Sequence, residues 1–156
     1  MKKTLFVLIG LFGLELKATD WRPCDAFLKA VRQVESSNGR HLYGDGGRSL
    51  GAYQLSEAAW IDVSAFRRER GLKTYSYRRY VMHSYINQAY AADYLSMLHG
   101  ELSRKLRRAP NPAEVYAAYN MGLGNFAECN YRMARVNPVT AKKARQVHAY
   151  VTKAAG

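Results

Sequence analysis

The chain has 156 residues, with 24 Lys and Arg against 12 Asp and Glu, a net charge of +12, two cysteines and four histidines. This length holds one domain with a real core and leaves too little for two, and no internal repeat or low-complexity tract interrupts it. His41, His83, His99 and His148 are scattered and the cysteines lie far apart, so neither a zinc site nor a Cys-His nucleophile pair is supported, and no metal or cofactor is expected.

Met1-Lys2-Lys3 followed by the apolar run Leu5 to Leu14 has the charged and hydrophobic regions of a secretory signal, with cleavage expected after Ala18. The apolar run is too short to span a bilayer, so the expected organisation is a signal over 1–18 and one domain over 19–156, secreted or periplasmic, with no membrane partner after cleavage. Removing Lys2, Lys3, Lys17 and Glu15 leaves 21 basic and 11 acidic residues. For an exported chain the expected polyanions are the peptide carboxylates and acidic polymers of the cell envelope; nucleic acid is the competing reading and is not expected. Cys24 and Cys129 are an even pair in an oxidising compartment and are expected to form a disulfide, with two free thiols as the alternative.

Phe27, Leu28, Val31 and Val34 recur at a spacing of three and four, which predicts a helix with one apolar face ending at Glu35. Ser36, Ser37, Asn38 and Gly39 stop it, and Gly44, Gly46, Gly47 and Gly51 shape a tight loop expected to form one small hairpin. Ser56 is placed to cap a helix that carries Ala59, Trp60, Val63 and Phe66 on one side and ends near Gly71. The Tyr75 to Tyr80 segment has no clear periodicity. A long helix is expected from about Met82 to Arg107, with Gly100 as its weak point and Asp93 as a buried or bordering polar residue. Asn111, Pro112 and Glu114 form a helix start with a capping box, and that helix ends at Tyr119-Asn120 before Gly122 and Gly124. Two more helices are expected, about Phe126 to Arg135 and Thr140 to Thr152.

Glu35 shares part of the apolar face of its helix and lies at the helix's C-terminal end. Partial desolvation and the helix dipole there both favour a neutral carboxyl, the form a general acid needs. Glu35-Ser36, Gly51 to Gln54, and Ala118-Tyr119-Asn120-Met121-Gly122 together resemble, in order, the Glu-Ser, Gly-x-x-Gln and Ala-Tyr-Asn-x-Gly motifs of soluble lytic transglycosylases in the lysozyme-like superfamily. The Gly-x-Tyr-Gln form and Trp60-Ile61-Asp62 are similar to invertebrate-type lysozymes, although the dense cysteines of that family are missing. The motifs bracket most of the chain from Glu35 to Gly122. The resemblance implies a mainly α, lysozyme-like helical domain with a small β-hairpin after the catalytic-Glu helix. It also implies substrate-binding roles for Ser49, Tyr53, Gln54, Tyr119 and Asn120.

Glycosidic hydrolysis needs a proton donor and usually a second carboxylate, whose separation decides between retention and inversion. Glu35 is the donor candidate. Asp45, in the glycine-rich loop, is preferred over the helical Asp62 as the second carboxylate. Asp45 also stands nine residues before Gln54, where lytic transglycosylases carry a motif serine, and an acid there favours water as the nucleophile. The expected activity is therefore a muramidase that cuts the β-1,4 bond between N-acetylmuramic acid and N-acetylglucosamine in peptidoglycan glycan strands. A lytic transglycosylase forming anhydro ends and a catalytically silent glycan-binding protein are the alternatives.

Overall fold

The computed structural model describes residues 20–156, so the signal expected over 1–18 lies outside the described residues. Among the described residues seven α-helices surround a three-stranded antiparallel sheet: α1 Asp25–Ser36, β1 Tyr43–Gly44, β2 Ser49–Leu50, β3 Leu55–Ser56, α2 Glu57–Glu69, α3 Tyr77–Tyr80, α4 Ser84–Leu106, α5 Pro112–Met121, α6 Leu123–Glu128 and α7 Pro138–Ala155. The mainly helical class expected from the sequence is the one observed. The hairpin gains a third strand, because after β2 the chain turns through Gly51 to Gln54 and pairs Leu50 with Leu55 and Ser49 with Ser56.

Core formation follows the apolar spacing. Phe27, Leu28, Ala30 and Val31 of α1 are buried, as are Ala59, Trp60 and Val63 of α2. Helix α4 packs against α2 and α5 and buries Tyr90, Ala91, Leu95, Leu98 and Leu102; α5 is buried over Ala113 to Tyr119. Trp60 stacks on Tyr90 with ring centroids 3.7 Å apart, and the Tyr90 hydroxyl accepts the backbone N–H of Tyr75, which ties the tyrosine-rich segment to the α2–α4 pair. Asp93 is buried as expected, and Arg22 and Arg67 both bond its carboxylate, so its role is to join the N-terminal segment and α2 to α4.

The predicted caps form where the chemistry places them. Ser56 accepts the N–H of Ala59, and Asn111 and Glu114 make a reciprocal capping box. Gly100 does not break α4, whose neighbouring turns are held by the buried Leu98 and Leu102. Gly122, at φ 85°, ends α5, whereas Gly124 lies inside α6. The single helix expected from Phe126 to Arg135 divides: Asn130 and Tyr131 take left-handed φ values of 51° and 55°, leaving α6 and a 3-10 turn over Met133–Arg135. Helix α7 starts two residues earlier than expected because Asn137 caps it with Pro138 in the first turn.

The expected Cys24–Cys129 disulfide is absent. Both thiols are free, with Cys24 exposed at the start of α1 and Cys129 half-buried after α6. The reversed turn at Asn130 and Tyr131 directs the Cys129 thiol to the carbonyl of Arg135, 3.4 Å away.

Two contacts join the loop after β2 to the helices. Asn87 of α4 accepts the Tyr53 N–H at 3.0 Å, and Gly51, at φ 80°, lies so close that an added Cβ would stand 2.6 Å from the Asn87 amide nitrogen. Asn87 is buried and bonded, so it has no room to withdraw. Gly51→Ala is therefore expected to cost about 2 kcal/mol through both the positive φ and the overlap. The check is the urea midpoint, and a midpoint equal to that of the parent protein would contradict this account of the contact.

Candidate active site

Glu35 occupies the last turn of α1, and its side chain is only 7% exposed. Three donors from two other helices converge on its carboxylate. The Tyr116 hydroxyl donates to Oε1 at 2.5 Å, Asn120 Nδ2 donates to the same oxygen at 3.2 Å, and the Lys143 ammonium lies 3.3 Å from Oε2. Burial alone would make an isolated carboxylate unfavourable; these partners compensate by direct hydrogen bonding and charge.

Each donor is positioned by helical geometry. Tyr116 and Asn120 stand four residues apart on α5 and so share a face, and Lys143 comes from α7, which packs against both α1 and α5. The Asn120 amide is oriented in turn. Its Oδ1 accepts from Thr140 Oγ1 at 2.6 Å, and Thr140 is held by Asn137, the cap of α7. The first turn of α7 therefore fixes which end of the Asn120 amide faces Glu35.

Ser36, next to the acid, is buried and anchors the helix end to the sheet. Its hydroxyl donates to the Ala52 carbonyl at 2.6 Å and accepts the Gly39 N–H at 2.8 Å. Tyr119 adds a second tie by donating its hydroxyl to the Tyr53 carbonyl at 2.6 Å.

A cleft of about 570 Å³ opens beside this assembly, between the sheet, α2, α4 and the end of α5. Asp45, Ser49, Gln54, Asp62, Tyr119 and Asn120 are among the residues that line it. Glu35 is not on its lining; it meets the cleft through Asn120. Of the residues singled out in the sequence, Asp45 is exposed at φ 50° in a 3-10 turn over Asp45–Gly47, where its Oδ2 accepts from Ser49 Oγ at 2.8 Å. Asp62 is exposed on α2 and faces the same space. Gln54 braces the loop, donating through Nε2 to the carbonyls of Gly51 and His41, and its Oε1 lies where a Cβ on Gly44 would stand.

Tyr53 departs from its expected place. It is 3% exposed and lines a different cavity, so the substrate-binding role expected for it in the cleft is not where its side chain goes. In the tight turn from Gly51 to Gln54, with Gln54 at a left-handed φ of 50°, the glutamine takes the cleft side and the tyrosine the core side. Tyr119 reaches the cleft but is largely buried, with its hydroxyl already engaged.

Tyr116, Thr140 and Lys143 were not singled out in the sequence. The signal for Tyr116 was its place four residues before Asn120 on one helix. Thr140 and Lys143 carried none, because their relation to Glu35 exists only once α7 has docked. Among the described residues no group of three or more His, Cys, Asp or Glu side chains could hold a metal ion, and no helix is long and apolar enough to cross a membrane. Comparison with protein-family models, curated proteins and solved structures finds no match, so the functional reading stands on the chain's own residues.

Burial leaves several phenols hard to ionise. Tyr94 is pushed up to about 12 by desolvation, with the charge of Asp62 adding to it. Tyr116 and Tyr119 are held well above the ordinary phenol range by desolvation first and by the Glu35 charge second. The unfolded chain releases these protons from about pH 10. Between there and the folded-state values it binds fewer protons than the native state, so stability is complete below that window and falls as pH rises through it. The urea midpoint is expected to decline progressively above about pH 10. A midpoint that stayed constant to pH about 11.5 would contradict the burial of these hydroxyls.

Proposed function

We propose that the protein is a peptidoglycan-cleaving muramidase with Glu35 as its general acid. The observation that carries this reading is a nearly buried carboxyl held by Tyr116, Asn120 and Lys143 immediately behind a cleft that also presents aspartates. The order of the Glu-Ser, Gly-x-x-Gln and Ala-Tyr-Asn-x-Gly motifs supports it, since these are the segments that meet around Glu35. Acid catalysis requires a glycosidic oxygen to reach Glu35 beside Asn120, whose 3.2 Å contact is the longer of the two on Oε1 and the one that can yield to a sugar. The carboxylate left after proton transfer is stabilised by Lys143 and Tyr116, which remain in place.

Asp45 is the preferred second carboxylate. It is exposed, lines the cleft and is held by one hydrogen bond to Ser49, so it can approach a sugar ring. Asp62 has its direction set by α2 and its charge acts on the buried Tyr94 phenol. The lytic transglycosylase alternative is favoured by a single feature, the enclosure of Glu35 by protein donors, because an acid that also serves as base for an intramolecular attack needs no water beside it.

Incubation with purified peptidoglycan followed by mass spectrometry distinguishes these reactions. New reducing ends are expected; 1,6-anhydro ends would replace the hydrolase with the transglycosylase, and no products with retained binding would leave a glycan-binding protein. Glu35→Gln keeps the shape and removes the transferable proton, so turnover is expected to fall by about 10³-fold or more. Undiminished lysis by the folded variant would move catalysis elsewhere. Asp45→Asn is expected to reduce hydrolysis far more than Asp62→Asn, and the reverse order would overturn the assignment of the second carboxylate.

The signal expected over 1–18 supports a secreted or periplasmic setting, and the basic excess supports envelope walls as the partner and attraction to acidic polymers as the means of capture. Binding to intact walls is expected to weaken steeply as salt rises, because the screening length falls from roughly 10 Å at 0.1 M to roughly 3 Å at 1 M. Binding that held constant over that range would rule out charge as the means of capture.

A further inference from the structure

A second cavity, of about 500 Å³, shares no lining residue with the cleft. Arg32 and Tyr53 line it together with Asp25 and Lys29 and with the side-chain amides of Gln33, Asn38 and Gln88. Among the described residues neither the Arg32 guanidinium nor the Tyr53 hydroxyl has a hydrogen-bond partner. Among the described residues no ion pair engages the Arg32 guanidinium, and its Nε is sealed from solvent without a hydrogen bond. A terminal nitrogen of the same group lies 3.0 Å from where a Cβ on Gly39 would stand, so the absence of a side chain there makes room for it.

Tyr53 is 3% exposed. Its N–H is bonded to Asn87 and its carbonyl to Tyr119, which clamp the backbone from both sides. The phenol lines the cavity, and burial holds it neutral, so it presents a hydroxyl donor. The Arg32 charge acts on this phenol, so the two donors stand close together at one cavity, neither bonded to an acceptor among the described residues. A single bound group that engages both the guanidinium and the phenol is an anion able to accept from the two at once.

We propose that this cavity binds the free carboxylate of a short peptide. A carboxylate matches the guanidinium fork and leaves an oxygen for the phenol. The Gln33, Asn38 and Gln88 amides can pair with peptide N–H and C=O groups. Asp25 disfavours a multiply charged anion such as phosphate and suits a ligand whose other end is neutral or cationic. The volume accommodates a peptide of two or three residues, within the usual range for small-ligand sites. Peptide carboxylates are also the groups that the envelope would present to this basic chain, although the site stands independently of the cleft reading. Tyr53 links the two places, since its carbonyl is bonded to Tyr119 on the cleft.

The test uses the protein with Glu35→Gln and with Glu35 intact, titrated with N-acetyl-alanyl-alanine in its D,D and L,L forms, with the C-terminal amide of each, and with inorganic phosphate. Calorimetry gives affinities, and proton–nitrogen correlation spectra locate the contact. Saturable binding of at least one acid is expected, with the Arg32 Nε–H and the Gln88 amide shifting, the same affinity in both backgrounds, and at least about tenfold weaker binding of the matching amide. Tyr53→Phe, which keeps the buried ring, and Arg32→Gln are each expected to weaken binding about five- to tenfold at an unchanged melting midpoint. Equal affinity for acid and amide, phosphate binding as tightly as the acid, no saturation, or unaltered binding by folded Tyr53→Phe would overturn the proposal. If Arg32→Gln does not fold, Tyr53→Phe and the acid–amide pair decide it. Because affinity is read directly, failure to cleave walls would count against the muramidase reading alone.

Discussion

The hydroxyl of Ser36 holds the C-terminal end of α1 against the loop that follows β2, and the position of Glu35 depends on that contact. One oxygen donates to the Ala52 carbonyl and accepts the Gly39 N–H, so it closes the turn that leaves the helix and fastens that turn to the sheet. Being buried, these bonds have no water to replace them, and losing the hydroxyl would leave a carbonyl and an amide unsatisfied together. Gly51, Asn87 and Tyr53 complete the same joint from the α4 side. The glycine loop is thus held at its base and open at its tip, where Asp45 and Ser49 face the cleft.

The other half of the site is built by α5 and α7. Helix α5 presents Tyr116 and Asn120 on one face, and α7 determines how that face is used, through Thr140 on the Asn120 amide and Lys143 on the second carboxylate oxygen. The residues around Glu35 come from positions 36 to 143, and no two of the three helices would suffice. Such an arrangement restrains the rotamer of Glu35. It also makes the last helix part of the Glu35 site as well as of the core.

Much of this could be read in the residues before any coordinates. The spacing of Phe27, Leu28 and Val31, the Ser56 cap and the Asn111–Glu114 capping box are local signals, and local physics decided them. Glu35 and Asn120 could be picked out because they stand at helix ends, where periodicity stops and turn chemistry begins, and Gln54 only through the order of the three motifs. Three features were not legible, each for a physical reason. Lys143 and Thr140 look like solvated residues of an amphipathic helix until α7 docks. Tyr53 and Gln54 are neighbours in a turn, and sequence alone does not say which side chain goes inward. The two cysteines obey the arithmetic of an even pair, yet the left-handed turn at Asn130 and Tyr131, with no glycine to announce it, directs Cys129 to a backbone carbonyl.

In the proposed reaction a sugar reaches Glu35 from the cleft by passing beside Asn120. This route is tested most directly by a crystal structure of the Glu35→Gln protein bound to a peptidoglycan oligosaccharide. The glycan is expected to thread along Asp45, Ser49, Gln54 and Asp62, with the oxygen of one glycosidic bond within hydrogen-bond distance of the side chain at position 35 and Asn120 displaced from it. A glycan bound in the cleft with no glycosidic oxygen near position 35, or bound on another face, would contradict it.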